Sequence, residues 1–155
     1  MDYVITGGAG FIGSNIAKQL VNTGHNVTIL DNLSNGKKEN LSAIMEKIKF
    51  VNGDIRDFNL LEKLLKNTDG VFHQAALASV QESFSKKEEY NDVNVGGTEN
   101  ILKLAKEFNF KVVYASSSSI YGNPEKIPIK ENDQKNPINP YAVTKLDDEN
   151  LAIKY

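Results

Sequence analysis

The chain has 155 residues, 40% of them hydrophobic and 25% charged, which is the composition of one ordinary globular domain able to bury a core. A net charge of −2, a lone arginine (Arg56) and no basic run longer than Lys37-Lys38 or Lys86-Lys87 argue against a nucleic-acid surface, which needs clustered cations. No cysteine and only two histidines, His25 and His73, exclude a disulfide frame, a thiol nucleophile and a zinc-type metal site.

The opening segment Tyr3-Val4-Ile5 is too short for a signal peptide or a membrane span, so a cytoplasmic protein without a membrane partner is expected. Along the chain, short β-branched or aromatic runs predict strands at Tyr3 to Thr6, Val27 to Leu30, Lys49 to Asn52, Gly70 to His73 and Lys111 to Ala115. Between them the patterning predicts helices over Phe11 to Thr23, Leu41 to Lys47, Leu60 to Lys66 and Tyr90 to Phe108. In the first of these, Ile12, Ile16, Leu20 and Val21 form the apolar stripe. The alternation implies an α/β fold, a doubly wound parallel sheet with helices on both faces. Residues 123 to 140 hold all four prolines and read as a long loop of the kind that is usually functional. A last helix starts near Tyr141 and is still running at Tyr155.

After the first strand, Gly7, Gly10 and Gly13 follow the G-x-x-G-x-x-G variant of the dinucleotide fingerprint. The first glycine permits the tight turn, the second lets the backbone approach a pyrophosphate, and the third lets helix and strand pack closely. The helix amino terminus then offers unpaired N–H groups and a positive dipole end to phosphate. Asp31 ends the next strand, where a carboxylate accepts hydrogen bonds from the adenosine ribose and repels a 2′-phosphate. NAD is therefore expected over NADP, with Lys37 and Lys38 as the only nearby cations that speak for the phosphorylated form.

Tyr141 and Lys145 form Tyr-x-x-x-Lys, which places both on one face of a helix. The spacing carries little weight by itself in a lysine-rich chain. It gains weight from its position after a proline-rich loop, downstream of a dinucleotide turn and of the serine run Ser116 to Ser119.

Together these features resemble the extended short-chain dehydrogenase/reductase superfamily and its NAD-dependent epimerase/dehydratase family. The resemblance rests on TGGAGFIG (6–13), DNLSNG (31–36), GDIRD (53–57), HQAA (73–76), NVGGT (94–98), SSSSIYG (116–122) and PYAVTK (140–145). Within that family the blocks look most like the amino-terminal half of UDP-sugar 4-epimerases acting on UDP-glucose or UDP-N-acetylglucosamine. HQAALASV (73–80) and the serine run look closest to the second group.

The resemblance implies that residues 1–155 are an NAD-binding Rossmann domain that stops before the last strands and the sugar-nucleotide domain. It implies a UDP-sugar substrate, and a homodimer in the full-length form built from the helices at Tyr90 to Phe108 and after Tyr141. Tyr141 would be the acid–base, Lys145 would bind the nicotinamide ribose and acidify Tyr141, and Ser117 would hydrogen-bond the reacting hydroxyl. NAD would also contact Phe11, Ile12, Asn32, Ser34, Asn35, Gly36, Asp54, Ile55, Gln74, Ala75, Ala76 and Asn94, with Asn94 equally able to tie neighbouring loops together. Ala78, Ser79 and Ser118 would face substrate.

Two rival readings stay open. A 4,6-dehydratase or a decarboxylase of the same family shares nearly every block, but related sequences carry acidic residues where this chain has Ser118 and Ser119. The chain could also be an NAD-binding module without turnover.

Overall fold

The computed structural model describes residues 1–155. Five strands pair into one sheet: β1 (Asp2–Thr6), β2 (Asn26–Asp31), β3 (Ile48–Asn52), β4 (Gly70–His73) and β5 (Lys111–Tyr114). Their order is β3-β2-β1-β4-β5, and every pairing is parallel. The chain therefore leaves β1 towards one edge and later returns to β1's other side. Such a reversal opens a crevice beyond the carboxyl ends of the central strands. Register makes those ends level, since Thr6 pairs with both Leu30 and His73.

Each crossover covers one face, so the strands are apolar on both sides. One core packs Ile5, Val27 and Ile29 against Ala17 of α1 (Phe11–Asn22) and against Leu41 and Ile44. The opposite core packs Val4, Leu30 and Val71 against Leu61 and Leu65 of α2 (Phe58–Leu65), with Ile101 and Leu104.

Four local readings differ from the sequence expectation. Ile12 is mostly exposed, because the first turn of α1 stands above the carboxyl edge of the sheet; the stripe that packs is Ile16, Ala17, Leu20 and Val21. The helix expected over Leu41 to Lys47 is a 3₁₀ helix over Lys38–Lys47. Its buried anchors, Leu41 and Ile44, are three residues apart and line up on a helix with three residues per turn. A short helix α3 (Val80–Ser85) appears in a stretch too polar to predict, capped by Ser79 Oγ, which accepts from the Glu82 N–H at 3.3 Å.

The fourth difference matters most for the site. The helix expected over Tyr90 to Phe108 is α4 (Lys87–Tyr90), a π-helical turn (Asn91–Gly96) and α5 (Gly97–Phe108). A π turn widens the helix locally and re-aims the side chains on it. Here it buries Asn94.

The last helix, α6 (Pro140–Lys154), follows the proline-rich loop. Asn139 caps it, its Oδ1 accepting from the Ala142 N–H at 2.8 Å, and Pro140 sits in the first turn, where its missing N–H costs nothing. No helix is long and apolar enough to cross a membrane.

Candidate functional site

Gly7 turns the chain out of β1 with φ +66°, a left-handed conformation that glycine adopts without strain. A Cβ there would stand 2.6 Å from the Ala75 nitrogen, so the glycine turn and the end of β4 touch backbone to backbone. Gly13 is buried against the same turn, and any side chain on it would collide with the Gly7 carbonyl. Gly10 starts α1 with no side-chain cap, which leaves the first N–H groups of the helix free for an anion.

These elements wall a cleft of about 310 Å³ at the carboxyl ends of β1, β2 and β4. Gly7, Gly10, Phe11, Asp31, Asn32, Ser34, Asn35, Gly36, Asp54, Ile55, Gln74, Ala75 and Ala76 line it. Phe11 is largely exposed at its rim. Five positions expected to touch the cofactor do not line the cleft, Tyr141 and Lys145 of the last helix among them. Ile12 points outward, Gly13 packs behind the turn, and Asn94 is spent on other bonds.

Asp31 is buried, and both its oxygens are engaged: Oδ2 accepts from the Ala9 N–H at 2.9 Å and Oδ1 from the Leu33 N–H at 2.8 Å. An ionised carboxylate has about four acceptor sites, so two remain for hydroxyl donors in the cleft. A Cβ at Gly36 would come within 2.8 Å of Asp31 Oδ1, so only bare backbone fits there.

At the far end of the cleft, Asp54 accepts from the Arg56 guanidinium at 2.8 Å and from Asn32 Nδ2 at 3.2 Å. The Arg56 hydrogen bonds hold its carboxyl down at about 2, against the opposing effect of burial. Arg56 also reaches Asp92 at 3.0 Å, bridging β3's end to the π turn. The sequence reading missed Arg56 as a lining residue; its being the only arginine, inside GDIRD, was the available signal. Ile55 puts its side chain into the core, so only its backbone is offered to the cleft.

The second group of predicted residues gathers where β5 meets α6. Tyr114 Oη donates to the Lys145 carbonyl at 3.2 Å, and Ser116 Oγ donates to Glu149 Oε1 at 2.5 Å. Ser117 lies next along the chain, half-buried, with its hydroxyl 2.7 Å from that of Ser119. Lys135 from the proline-rich loop pairs with Glu149, fastening that loop to the same helix. Ser118 is exposed on a 3₁₀ turn (Ser118–Tyr121), and Ala78 and Ser79 are exposed ahead of α3.

Tyr141 is half-buried in the first turn of α6, and Lys145 is nearly fully buried one turn later. The Lys145 ammonium sits 3.2 Å from Asp148 Oδ2 and 4.2 Å above the Tyr114 ring. Asp148 is not among the site residues expected from the sequence; the acidic neighbours Asp147 and Glu149 give no local sign that it is buried. No group of three His, Asp or Glu side chains is placed to hold a metal ion.

His73, read as a strand-end residue, is buried at the end of β4. Burial, helped by the Lys145 charge, lowers its pKa to about 3 and keeps the ring neutral. It bridges Thr6 Oγ1 at 2.6 Å and Thr98 Oγ1 at 2.9 Å.

With this geometry in place, the relatives are informative. The chain is 39% identical to a UDP-glucose 4-epimerase of Lacticaseibacillus casei over 149 residues, which is 94% of this chain and 44% of that protein. Its structure superposes on a UDP-N-acetylglucosamine 4-epimerase from Methanobrevibacter ruminantium, in complex with UDP-N-acetylmuramic acid, with TM-score 0.92 and 42% identity. That match covers 99% of this chain and 49% of the other. The dTDP-glucose 4,6-dehydratase DesIV of Streptomyces venezuelae, with NAD bound, matches with TM-score 0.94 and 33% identity over 100% of this chain and 51% of its own. The chain thus spans about half the length of the proteins it matches. A family profile described as GDP-mannose 4,6 dehydratase matches residues 4–155, and the chain belongs to that family; the epimerase and the dehydratase structures above both share its fold.

Proposed function

We propose that the chain is the NAD-binding half of a UDP-sugar 4-epimerase. The observation that carries this reading is the stapling of β5 to α6. Tyr114 and Ser116, on either side of Ala115, hold the helix turn bearing Lys145 and Glu149, and so bring Ser117 to the helix that presents Tyr141 and Lys145. The fit to NAD rests on the bare-glycine turn, the uncapped start of α1 and the two remaining acceptor sites of Asp31.

In this reading NAD, when bound, accepts a hydride from the sugar carbon and returns it. Tyr141 holds and moves the proton of the reacting hydroxyl as general acid–base. Lys145 supplies positive charge that favours the tyrosinate, and hydrogen-bonds the nicotinamide ribose. Ser117 orients the hydroxyl, and its partner Ser119 Oγ fixes which way the serine points. Ser118 and Ser119 offer no carboxyl to protonate a leaving hydroxyl, which disfavours the dehydratase, and the decarboxylase is disfavoured because similar sequences carry a glutamate there.

The substrate is UDP-glucose or UDP-N-acetylglucosamine, held by a further sugar-nucleotide domain, and the full-length protein is a dimer through α4–α5 and α6. Binding energy from the remote nucleotide positions the sugar. Residues 1–155 alone should therefore bind NAD without epimerising either sugar. The test is an epimerisation assay of the full-length protein and of residues 1–155 with both sugars, alongside an NAD titration. Interconversion by the full-length protein alone supports the reading. Loss of water from the sugar in place of epimerisation, or turnover by residues 1–155, overturns it.

A further inference from the structure

Asp148 occupies an unusual position for an acidic side chain. It follows Tyr141 and Lys145 at the i+7 and i+3 places, on the same stripe of α6, and is fully buried. Burying a carboxylate is costly unless its charge and its acceptors are satisfied. Here only one oxygen is: Oδ2 accepts from Lys145 Nζ at 3.2 Å and shares the single Tyr114 hydroxyl proton with the Lys145 carbonyl, while Oδ1 has no hydrogen-bond partner. A carboxylate kept only to stabilise the fold would be expected to have both oxygens met. The feature that accounts for its burial is the Lys145 charge.

We propose that Asp148 is the positioning residue for Lys145, holding its ammonium charged and in place on α6, at the end of a polar path that starts at the cofactor cradle. The path runs through side chains already described. Thr98 of α5 is among the side chains that act on the Asp148 carboxyl. The Thr98 hydroxyl meets His73 Nε2, His73 Nδ1 meets Thr6 Oγ1, and Thr6 Oγ1 accepts from the Ala75 N–H at 3.3 Å. Ala75 is the residue whose backbone abuts Gly7. Thr6, His73 and Thr98 thus form a hydrogen-bonded path from the glycine turn, through β1 and β4, to α5. This role rests on the reading of Lys145 as the lysine that binds the cofactor ribose.

The electrostatics point the same way. Burial pulls the Lys145 pKa down, and Asp148 is the largest influence holding it up. Burial raises Asp148 to about 6, so the carboxylate is ionised at neutral pH and pairs with the ammonium. The other ionisable groups around the pair are His73 from β4, Tyr114 from β5, and Tyr141 and Glu149 from α6 itself. Of these, His73 is neutral, Tyr114 is held protonated by burial, and Glu149 is paired with Lys135. On the packed helices, Tyr90 of α4 bonds to the Ser79 carbonyl and Glu99 of α5 to Lys103 and Tyr155; the π turn contributes uncharged Asn94. Asp148 is the one close counter-charge to Lys145.

The experiment uses the full-length protein with ¹³Cε-labelled lysine, following the Lys145 titration by NMR in the parent and in Asp148→Asn, which keeps the shape and removes the charge. Asp148→Asn should lower the Lys145 midpoint by about one pH unit or more. NAD affinity and kcat should then fall earlier on the alkaline side than in the parent, with little change below pH 7. Stability supplies a second readout: in a Lys145→Met background, Asp148→Asn should raise the melting temperature, because the carboxylate has lost its partner. An unmoved Lys145 midpoint overturns the proposal, and so does a uniform loss of activity at every pH, which is what a merely structural residue gives. Should Lys145→Met itself leave NAD binding and turnover intact, the cofactor role of Lys145 falls, while the Asp148–Lys145 pairing is still judged by NMR.

Discussion

Asn94 and Thr144, fifty residues apart, are joined by a 3.0 Å hydrogen bond from Asn94 Nδ2 to Thr144 Oγ1. The same amide clasps Leu77, accepting from its N–H at 2.8 Å and donating to its carbonyl at 3.1 Å. One buried side chain on the π turn thus ties the loop after β4 to the helix that carries Tyr141 and Lys145. It is a joint between the two halves of the site, and it stands outside the cleft.

Removing the amide by Asn94→Ala strands the Leu77 backbone groups and the Thr144 hydroxyl in a poorly solvated place. Each unsatisfied group costs about 1–3 kcal/mol, so the melting temperature should drop by several degrees. A thermal melt decides it. A variant melting within one degree of the parent would show that water or a local shift replaces these bonds.

Asp31 sets the cofactor preference. NAD should bind at least about tenfold more tightly than NADP, equivalent to roughly 1.4 kcal/mol, since a 2′-phosphate would face a buried carboxylate. Asp31→Asn keeps the shape and removes the charge, and should narrow the gap mainly by improving NADP. Calorimetry with both cofactors is the measurement, and equal affinities in the parent would remove Asp31 from this role.

Tyr141→Phe in the full-length protein should lower kcat by about 10²–10⁴-fold, the usual range for a positioned acid–base, while NAD affinity changes little. Ser117→Ala should be milder, because a water can take the place of its hydroxyl. Steady-state kinetics with the UDP-sugar that turns over would check both. A Phe variant within a few-fold of the parent would exclude Tyr141.

Two buried groups give stability opposite pH dependences. His73 titrates near 6.5 when unfolded and at about 3 in the fold, so its contribution is present above 6.5 and is lost as pH falls towards 3. Asp148 is raised from 3.8 to about 6, so its contribution is present below 3.8 and is lost as pH rises through 6. Between about pH 4 and 6 the two slopes oppose each other, and the parent's melting temperature should vary little on their account. His73→Gln should become more stable as the pH drops across that window, and Asp148→Asn less stable. Parallel curves for all three proteins would refute the assignment.

Much of this was legible in the chain itself. Five short β-branched or aromatic runs, each separated by a stretch long enough for a helix, point to a parallel sheet, because parallel neighbours need such crossovers. Gly7 and Asp31 could be placed because local chemistry demands them: a left-handed turn after a strand, and a carboxylate at a strand end. Tyr141 and Lys145 are singled out by their position after the proline-rich loop and by the family resemblance, since their spacing along one helix says little by itself.

What the sequence could not decide depends on partners distant along the chain. Ile12 matches the stripe by periodicity, yet it lies above the sheet edge, where there is nothing to pack against. Asn94 reads equally as a cofactor contact and as a tie between loops, and only the π turn, which sets it on Leu77 and Thr144, decides for the tie. Asp148 stands between acidic neighbours that give no local sign of burial, and only the approach of β4, β5 and α5 to α6 buries it against Lys145. Periodicity assigns a residue to a face of its own helix. Whether that face meets water, an apolar core or a single counter-charge is decided by segments tens of residues away, through packing and desolvation that no local pattern encodes.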